Sequence, residues 1–180
     1  MATPNDKMLV RAVFAGDKTA YEKLYDRYAP LIRAICCDET GNLADAQDLA
    51  QDVFMRAYEN LDKLRDPDRF GRWLVGIARL RCKEWQRHNY RRRDSDAELD
   101  CSETVTPDPQ DNGRFKRLRE TLSMLPEKER MVLHAFYLQG QSAEDARRTI
   151  GLSRSGFYRA LERARKQLAK LLVQQREDLQ

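Results

Sequence analysis

The stretch from Asp45 to Arg93 constrains the fold of this chain more than any other part of its sequence. Its first half, to Leu61, repeats apolar residues at helical spacing on one side and carries acids on the other. A loop around Pro67 follows, and the second half is apolar on one face and strongly basic elsewhere, with interleaved aromatic residues. Two adjacent amphipathic helices of this kind predict an all-α fold. The carboxylates of one and the guanidinium groups of the other predict two different partners, protein and nucleic acid.

The composition favours two small helical domains over one large core. Of the 180 residues, 34% are charged and 8% are aromatic, and the chain has 8 Gly and 6 Pro. This composition is too apolar for a disordered chain and too charged for one large core. Residues Asp94 to Gly113 include seven acids, no base and two prolines, without helical periodicity. We therefore expect a helical domain at 1–93, a flexible acidic linker at 94–113 and a second helical domain at 114–180.

Basic residues are concentrated on both sides of that linker. Between Arg69 and Arg93, nine Arg or Lys stand against one acid, Glu84. Between Arg147 and Lys170, eight stand against Glu162. The net charge of the whole chain is a modest +4, so the excess of basic residues is confined to these two regions and does not extend over the whole chain. Two basic regions predict a nucleic-acid-binding protein with two contact sites.

The acids of the predicted helix 45–61 share one side, because Asp45, Asp48 and Asp52 fall at positions i, i+3 and i+7. Two interpretations of this side stay open, a solvated acidic face and a protein-docking surface. Catalysis would need a partner group, and the sequence brings no histidine, lysine cluster or glycine-rich loop beside these acids. We expect no catalytic residue, no metal site and no cofactor.

The four cysteines form no CxxC pair and have no histidine at zinc-ligand spacing, which is typical of a reduced cytoplasmic protein with free thiols. The first residues lack a long apolar run, and no later stretch approaches the length of a membrane span. We therefore expect a cytoplasmic protein without membrane insertion. The cysteines are Cys36, Cys37, Cys82 and Cys101.

Local patterns also predict caps, a buried stripe and a helix-turn-helix. Asp45 stands where the N-cap of the acidic helix is expected, just before its first apolar residue. In the second domain, Ser142 and Ser153 are the expected caps of two helices joined by a turn at Gly151, which is helix-turn-helix spacing. In the basic helix, about 70–92, the side chains expected on the buried side are Trp73, Leu74, Ile77, Leu80, the stem of Lys83, and Trp85.

Taken in order, these segments resemble the small alternative sigma factors of bacterial RNA polymerase, the extracytoplasmic-function (ECF) type. DKMLVRAVFAGDKTAYEKLYDRYAPLI resembles the start of sigma domain 2, and DAQDLAQDVFMRAYENL is similar to the segment that docks on the clamp helices of the polymerase. FGRWLVGIARLRCKEW and the arginine run after it resemble the promoter-melting segment. LPEKERMVL and GLSRSGFYRALERARKQL resemble sigma domain 4. The resemblance implies a helical bundle for domain 2 and a helix-turn-helix for domain 4.

By position, the resemblance implies three groups of site residues, and it implies no enzyme activity because the polymerase supplies the chemistry. Docking on core RNA polymerase is implied for Asp45, Gln47, Asp48, Leu49, Gln51, Asp52 and Phe54. The resemblance implies that the loop 62–69 captures a flipped base of the −10 element and that the residues after it bind the opened strand. The residues implied for this −10 region are Asp62, Lys63, Arg65, Arg69, Arg72, Trp73, Arg79, Lys83, Arg87, Arg91, Arg92 and Arg93. Reading of the duplex −35 element is implied for Ser153, Arg154, Ser155, Tyr158, Arg159 and Arg163.

Some positions differ from the family pattern. Leu80 stands where an Asn commonly follows the Ile-Ala-Arg triplet and helps to read the −10 element. Arg147, four residues before the turn glycine, stands where a small Ala usually allows close helix packing. Gly156 and Phe157 replace the usual Thr and Val. These differences bear on promoter reading and leave polymerase docking untouched.

Two other functions fit parts of the sequence. A stand-alone helix-turn-helix regulator would bind duplex DNA by itself as a dimer, but it has no role for the acidic helix at Asp45. A degenerate sigma factor would bind polymerase or a regulator without reading promoters, which the residues Leu80 and Arg147 favour. An anti-sigma partner is common in the family, but no residue here identifies one, nor a promoter consensus or an inducing signal.

Overall fold

The structure, a computed structural model, describes the backbone of residues 5–95, 113–139 and 142–177, and the side chains of 5–90, 117–139 and 142–174. Within these ranges the regular structure is helical and no β-strand occurs, which confirms the predicted all-α fold with two helical domains. The α-helices are α1 Asp6–Phe14, α2 Lys18–Thr40, α3 Leu43–Glu59, α4 Phe70–Ser95, α5 Gly113–Ser123, α6 Glu127–Leu138, α7 Ala143–Ile150 and α8 Arg154–Glu177, with 3-10 turns at Leu61–Lys63 and Pro67–Arg69.

Side-chain caps fix where the N-terminal helices begin. Asn5 accepts a hydrogen bond from the Met8 amide at the start of α1, and Asp17 caps α2. The prediction that Asp45 caps α3 is wrong, because the Asn42 side chain accepts the bond from the Ala44 amide at 2.8 Å. Asp45 lies instead in the first turn of α3, where its charge complements the positive end of the helix dipole.

The N-terminal core is formed where α2, α3 and α4 pack together, with α1 across one end. Ile32, Val53 and Leu74, from α2, α3 and α4 in turn, have no exposed surface. Tyr28 is also buried, and its hydroxyl donates to the Asp6 carboxylate. Burial is the largest cause that raises the pKa of Tyr28 above its usual value, so its proton stays available for this bond.

The buried side of α4 differs from the predicted stripe. Val75, Ala78 and Cys82 are buried, whereas Leu80 is 56% exposed and Lys83 is exposed. The small side chains at 78 and 82 let α4 approach its neighbours closely, which turns the helix about its axis relative to the prediction. Of the predicted set, Leu74 is buried, and Trp73, Ile77 and Trp85 lie half-buried at the edge of the core.

The thiols of Cys36 and Cys82 lie side by side in this core, and both are free. Their mutual hydrogen bond and burial raise the pKa of Cys36, which keeps this group a neutral thiol. Cys37 is a free, half-buried thiol. Cys101 lies outside the described residues.

Replacement by alanine is expected to have opposite effects on stability at two glycines of α4. A Cβ on Gly71 would lie 2.5 Å from the Tyr28 hydroxyl, whereas a Cβ on Gly76 would meet nothing within 4 Å. We expect Gly71→Ala to lower the free energy of unfolding by about 1–3 kcal/mol, because the buried Tyr28 ring cannot move away. Gly76→Ala should raise it by up to about 1 kcal/mol, because alanine is the better helix former. Urea unfolding measures the free energy of unfolding of both variants. An equal free energy of unfolding for the two variants would contradict the packing of Tyr28 on α4.

The C-terminal domain is built on α6, α7 and α8, with α5 against α8. Val132, Ala146 and Phe157, one from each of these three helices, have at most 1% of their surface exposed. The helix α4 ends at Ser95, so it includes the first two residues of the predicted linker, and the predicted linker residues 96–112 lie outside the described residues. In the described part of the chain, no helix has the length and apolar character needed to cross a membrane.

Candidate protein-docking and nucleic-acid interfaces

The outer face of α3 is an exposed surface that combines acids, amides and apolar side chains. Asp45, Gln47, Asp48 and Gln51 are exposed, as the docking prediction requires. Met55 and Tyr58 continue the same face and are 56% and 46% exposed. The α3 outer face is defined here as Asp45, Gln47, Asp48, Gln51, Met55 and Tyr58. Exposed apolar side chains among acids are typical of a protein-docking surface rather than of a merely solvated face.

Two residues that the sequence assigned to docking lie on the opposite side of α3. Leu49 and Phe54 are buried in the core, so they hold α3 in place and offer no surface to a partner. The Phe54 ring packs on Tyr25 with ring centres 4.6 Å apart. Met55 and Tyr58 were missed by the sequence interpretation, although their spacing of seven and ten residues from Asp48 places them on its face.

Asp52 joins α3 to α4 rather than pointing freely outward. Its carboxylate lies 2.5 Å from Nε of Arg81 and 3.3 Å from Nε of Arg56, and its side chain is half-exposed. Arg81 also pairs with Glu84 on its own helix. Asp52 therefore orients the acidic helix relative to the basic one, a role that the spacing of the acids alone did not indicate.

The loop before α4 and the first turns of α4 enclose an open cavity of about 580 Å³. Its apolar wall is formed by Trp73, Ile77 and Leu80 on successive turns of α4, and its rim carries basic side chains of the loop. This places Leu80, which replaces the Asn of the family pattern, at the cavity wall. The cavity is lined by Lys63, Leu64, Arg65, Asp66, Arg69, Arg72, Trp73, Gly76, Ile77 and Leu80. Asp62, another predicted loop contact, is exposed nearby and does not line it.

A row of exposed bases continues from this cavity along α4. Arg72, Arg79, Lys83 and Arg87 recur every four to seven residues on one side of the helix, and we call them the basic stripe of α4. An apolar cavity followed by a basic stripe can hold an unstacked base and the phosphates next to it. Arg91, Arg92 and Arg93 lie on the same helix, but their side chains lie outside the described set.

The helix-turn-helix is present as predicted, with both of its serine caps. Ser142 accepts a bond from the Asp145 amide, and Ser153 accepts one from the Gly156 amide at 3.2 Å. Gly151 ends α7 with φ of 72°, a left-handed conformation that other residues rarely adopt. The turn therefore depends on this glycine.

Arg147 does not occupy the close-packing position of this motif. Ala146 is 1% exposed and supplies the small side chain at the contact between helices. Arg147 turns outward, where it pairs with Glu144 and donates to the Leu152 carbonyl at 3.3 Å. Close helix packing is therefore kept with an arginine at position 147, because Ala146 supplies the small side chain.

The first turns of α8 present polar side chains around a buried anchor. Arg154, Ser155, Tyr158 and Arg159 are exposed. Phe157 between them is fully buried against Phe136, with ring centres 6.4 Å apart. One further predicted contact, Arg163, pairs with Glu129 at 3.0 Å while remaining 58% exposed. The exposed set matches the side of a recognition helix that enters the major groove.

Known protein families and individual relatives match most of this chain. The family description Sigma-70 region 2 matches residues 24–92, and Sigma-70, region 4, matches residues 115–168. The ECF RNA polymerase sigma factor EcfG of Rhodopseudomonas palustris is 30% identical over 79% of this chain and 80% of its own length. The probable RNA polymerase sigma factor RfaY of Xanthomonas campestris is 29% identical over 89% of this chain, which spans 42% of that relative.

A solved structure shares the fold over almost the whole chain. The structure of CnrH in complex with the cytosolic domain of CnrY superposes with a TM-score of 0.64 at 25% identity, over 93% of this chain and 96% of that one. In this chain Sigma-70 region 2 precedes region 4, and the helix-turn-helix lies within region 4. The chain belongs to the ECF family of RNA polymerase sigma factors, as its sequence motifs predicted.

Proposed function

We propose that this chain is an alternative sigma factor that binds core RNA polymerase, directs it to a set of promoters and opens the DNA there. The observation that carries the proposal is the segregation of surfaces on one small domain. The acidic and apolar α3 outer face and the basic stripe of α4 lie on different helices, so one domain can bind protein and nucleic acid at once. A stand-alone DNA-binding regulator has no use for the first surface.

In this proposal the N-terminal domain, 1–93, binds the −10 element as a single strand. The cavity beside Trp73 accepts one flipped base, and the basic stripe of α4 contacts the phosphates that follow. Capturing unstacked bases stabilises the opened strand without the need to read a closed duplex. With Leu80 on its wall, the cavity holds its base through apolar contact rather than through an amide hydrogen bond.

The C-terminal domain, 114–180, binds the −35 element as a duplex. The exposed side chains at the start of α8, with Arg154 and Arg159 among them, enter the major groove. The acidic segment 94–113 joins the two domains. Because the polymerase supplies the chemistry, the chain acts without catalysis of its own, in the cytoplasm where the polymerase works.

Run-off transcription with purified core polymerase from the same organism tests the proposal. On a pool of genomic promoters, we expect transcripts that begin downstream of one shared motif, and no such transcripts without the chain. A Trp73→Ala variant should co-purify with polymerase as well as the original chain but initiate at least about fivefold less, because stacking contributes about 1–3 kcal/mol per base. A Phe14→Ala variant is a matched control, since this aromatic residue is 53% exposed at the C-terminal end of α1.

Other outcomes identify the alternatives. Stable polymerase binding without transcripts would favour a degenerate sigma factor that acts as an interaction protein. Binding to duplex DNA without any binding to polymerase would contradict the proposal and leave the stand-alone regulator.

A further inference from the structure

The side chain of Arg165 on α8 is held against two aromatic rings of α6. Its Cζ lies 5.1 Å from the centre of the Phe136 ring and 5.6 Å from the centre of the Tyr137 ring, which is the range of a cation–π contact. The two rings meet at 84°, so they form a corner around the guanidinium group. Its Nε donates a hydrogen bond to the Tyr137 hydroxyl at 3.1 Å. Three contacts therefore fix the direction of a long side chain that lies exposed on the surface.

The charge of Arg165 is not neutralised, unlike the charges of the basic residues next to it. Arg163 pairs with Glu129 at 3.0 Å, and Lys166 pairs with Glu162 at 2.7 Å. In the part of the chain that the structure describes, no carboxylate pairs with Arg165. A guanidinium group that is held in place without an acidic partner is suited to binding an anion from outside the chain.

The contacts of Arg165 leave one edge of its guanidinium group open. The rings occupy its flat faces, and the Tyr137 hydroxyl occupies Nε. Within the described residues, Nη1 and Nη2 have no hydrogen-bond partner, and this fork matches two oxygens of one phosphate. Because the Tyr137 hydroxyl accepts the bond from Arg165, it can donate its own proton to the same phosphate. Tyr137 is 59% exposed, so a phosphate can reach it.

Arg165 lies on the side of α8 that carries the proposed −35 contacts. It follows Tyr158 by seven residues, which is nearly two full turns, so the two side chains point the same way. It follows Arg154 by eleven residues, which is about 16 Å of helix at about 1.5 Å per residue. A major groove is about 12 Å wide, so a helix that contacts bases with its first turn brings this side chain to the phosphates at the groove edge.

We propose that Arg165 and Tyr137 form a phosphate clamp, which binds one backbone phosphate of duplex DNA beside the −35 element. The clamp rests on the proposed function, because it extends the DNA surface of the C-terminal domain from α8 to α6. A phosphate contact carries no sequence information. The clamp therefore fixes the position of α8 on the duplex, while the residues at the start of α8 read the bases.

The test measures binding of the full-length chain to a short fluorescent DNA duplex of random sequence, at NaCl concentrations from about 50 to 200 mM. For Arg165→Gln, we expect the slope of log K against log salt concentration to become less negative by about 0.9, because one phosphate contact is lost. Its affinity at the lowest salt concentration should fall about tenfold, as for the loss of a hydrogen bond to a charged group. Arg165→Lys should keep the slope, because it keeps the charge, and should lose part of the affinity, because lysine has no fork.

The control is Lys170→Gln, which removes the same charge from the same helix. Lys170 is exposed and follows Arg165 by five residues, so it points to a different side of α8. Its salt slope should match that of the original chain. Urea unfolding of every variant accompanies the binding measurements, because a purely structural role of Arg165 would lower stability and leave the salt slope unchanged.

If Arg165→Gln does not fold, Tyr137→Phe decides the question, since it keeps the ring and removes only the hydroxyl. This variant should bind the duplex about threefold more weakly with an unchanged salt slope, because it loses hydrogen bonds and no charge. The clamp is overturned by an unchanged slope for folded Arg165→Gln, by an equal change of slope for Lys170→Gln, or by unchanged affinity for Tyr137→Phe. Polymerase binding and run-off transcription by the original chain are separate measurements, so they decide the proposed function independently of this result.

Discussion

A chain in which Asp45 and Asp48 are both replaced by arginine loses binding to core RNA polymerase by at least about 100-fold. Both residues lie exposed on the α3 outer face, so the substitutions leave the core intact. An acidic docking face implies a basic partner surface, and like charges brought together across an interface cost several kcal/mol. Asp45 also lies in the first turn of α3, where loss of its charge costs at most about 1 kcal/mol of stability. Co-purification with polymerase, with thermal unfolding alongside, measures both effects.

The control for this variant carries Glu22→Arg and Glu120→Arg, which change the net charge equally at exposed positions of α2 and α5. It should bind polymerase like the original chain. Asp52 is left unchanged in the experiment, because its pairs with Arg81 and Arg56 would make its substitution a test of packing rather than of docking. Equal retention of both variants by polymerase would show that the α3 outer face is not the docking surface.

Replacing Phe157 by alanine unfolds most of the C-terminal domain and removes its binding to duplex DNA. Phe157 has no exposed surface and anchors α8 against Phe136 of α6. Truncating a buried phenylalanine costs about 3–5 kcal/mol, which is most of the stability of a small domain. Polymerase binding through α3 should persist, because the α3 outer face lies in the other domain. Urea unfolding followed by circular dichroism, with duplex binding measured in parallel, checks both parts.

The neighbouring residue provides the control. Tyr158 is 48% exposed, so Tyr158→Ala should change stability by no more than about 0.5 kcal/mol. It should nevertheless weaken duplex binding, because this side chain belongs to the proposed −35 surface. Native-like stability of Phe157→Ala would contradict the assignment of this residue as the anchor of α8, and equal loss of stability in both variants would contradict the orientation of the helix.

Much of the site follows from patterns within short segments. The serines before α7 and α8 accept amide bonds as their positions predict, and Gly151 adopts the left-handed turn between these helices. These features depend on residues three or four positions apart, so the sequence determines them directly. The exposure of the basic residues of α4 can likewise be predicted from their composition. Charged side chains without partners in the core remain at the surface.

The choice of face on each helix was decided by tertiary packing. Adjacent helical residues point about 100° apart, so an amphipathic pattern leaves neighbouring positions hard to separate. The structure buries Phe54 and exposes Met55, and it buries Ala146 while turning Arg147 outward. These choices depend on which distant helix approaches and how closely, which no local spacing records.

The sequence by itself determined the all-α fold, the helix-turn-helix, the separation of acidic from basic helices and the sigma family of this chain. These rest on local hydrogen bonding, periodicity and composition. Only the tertiary structure decided that Asp52 binds Arg81, that Asp38 binds Arg130 and His134, and that the basic stripe of α4 faces the helix-turn-helix. Such pairs form because a shielded charge must find an opposite charge within reach, and what lies within reach is set by how the helices pack.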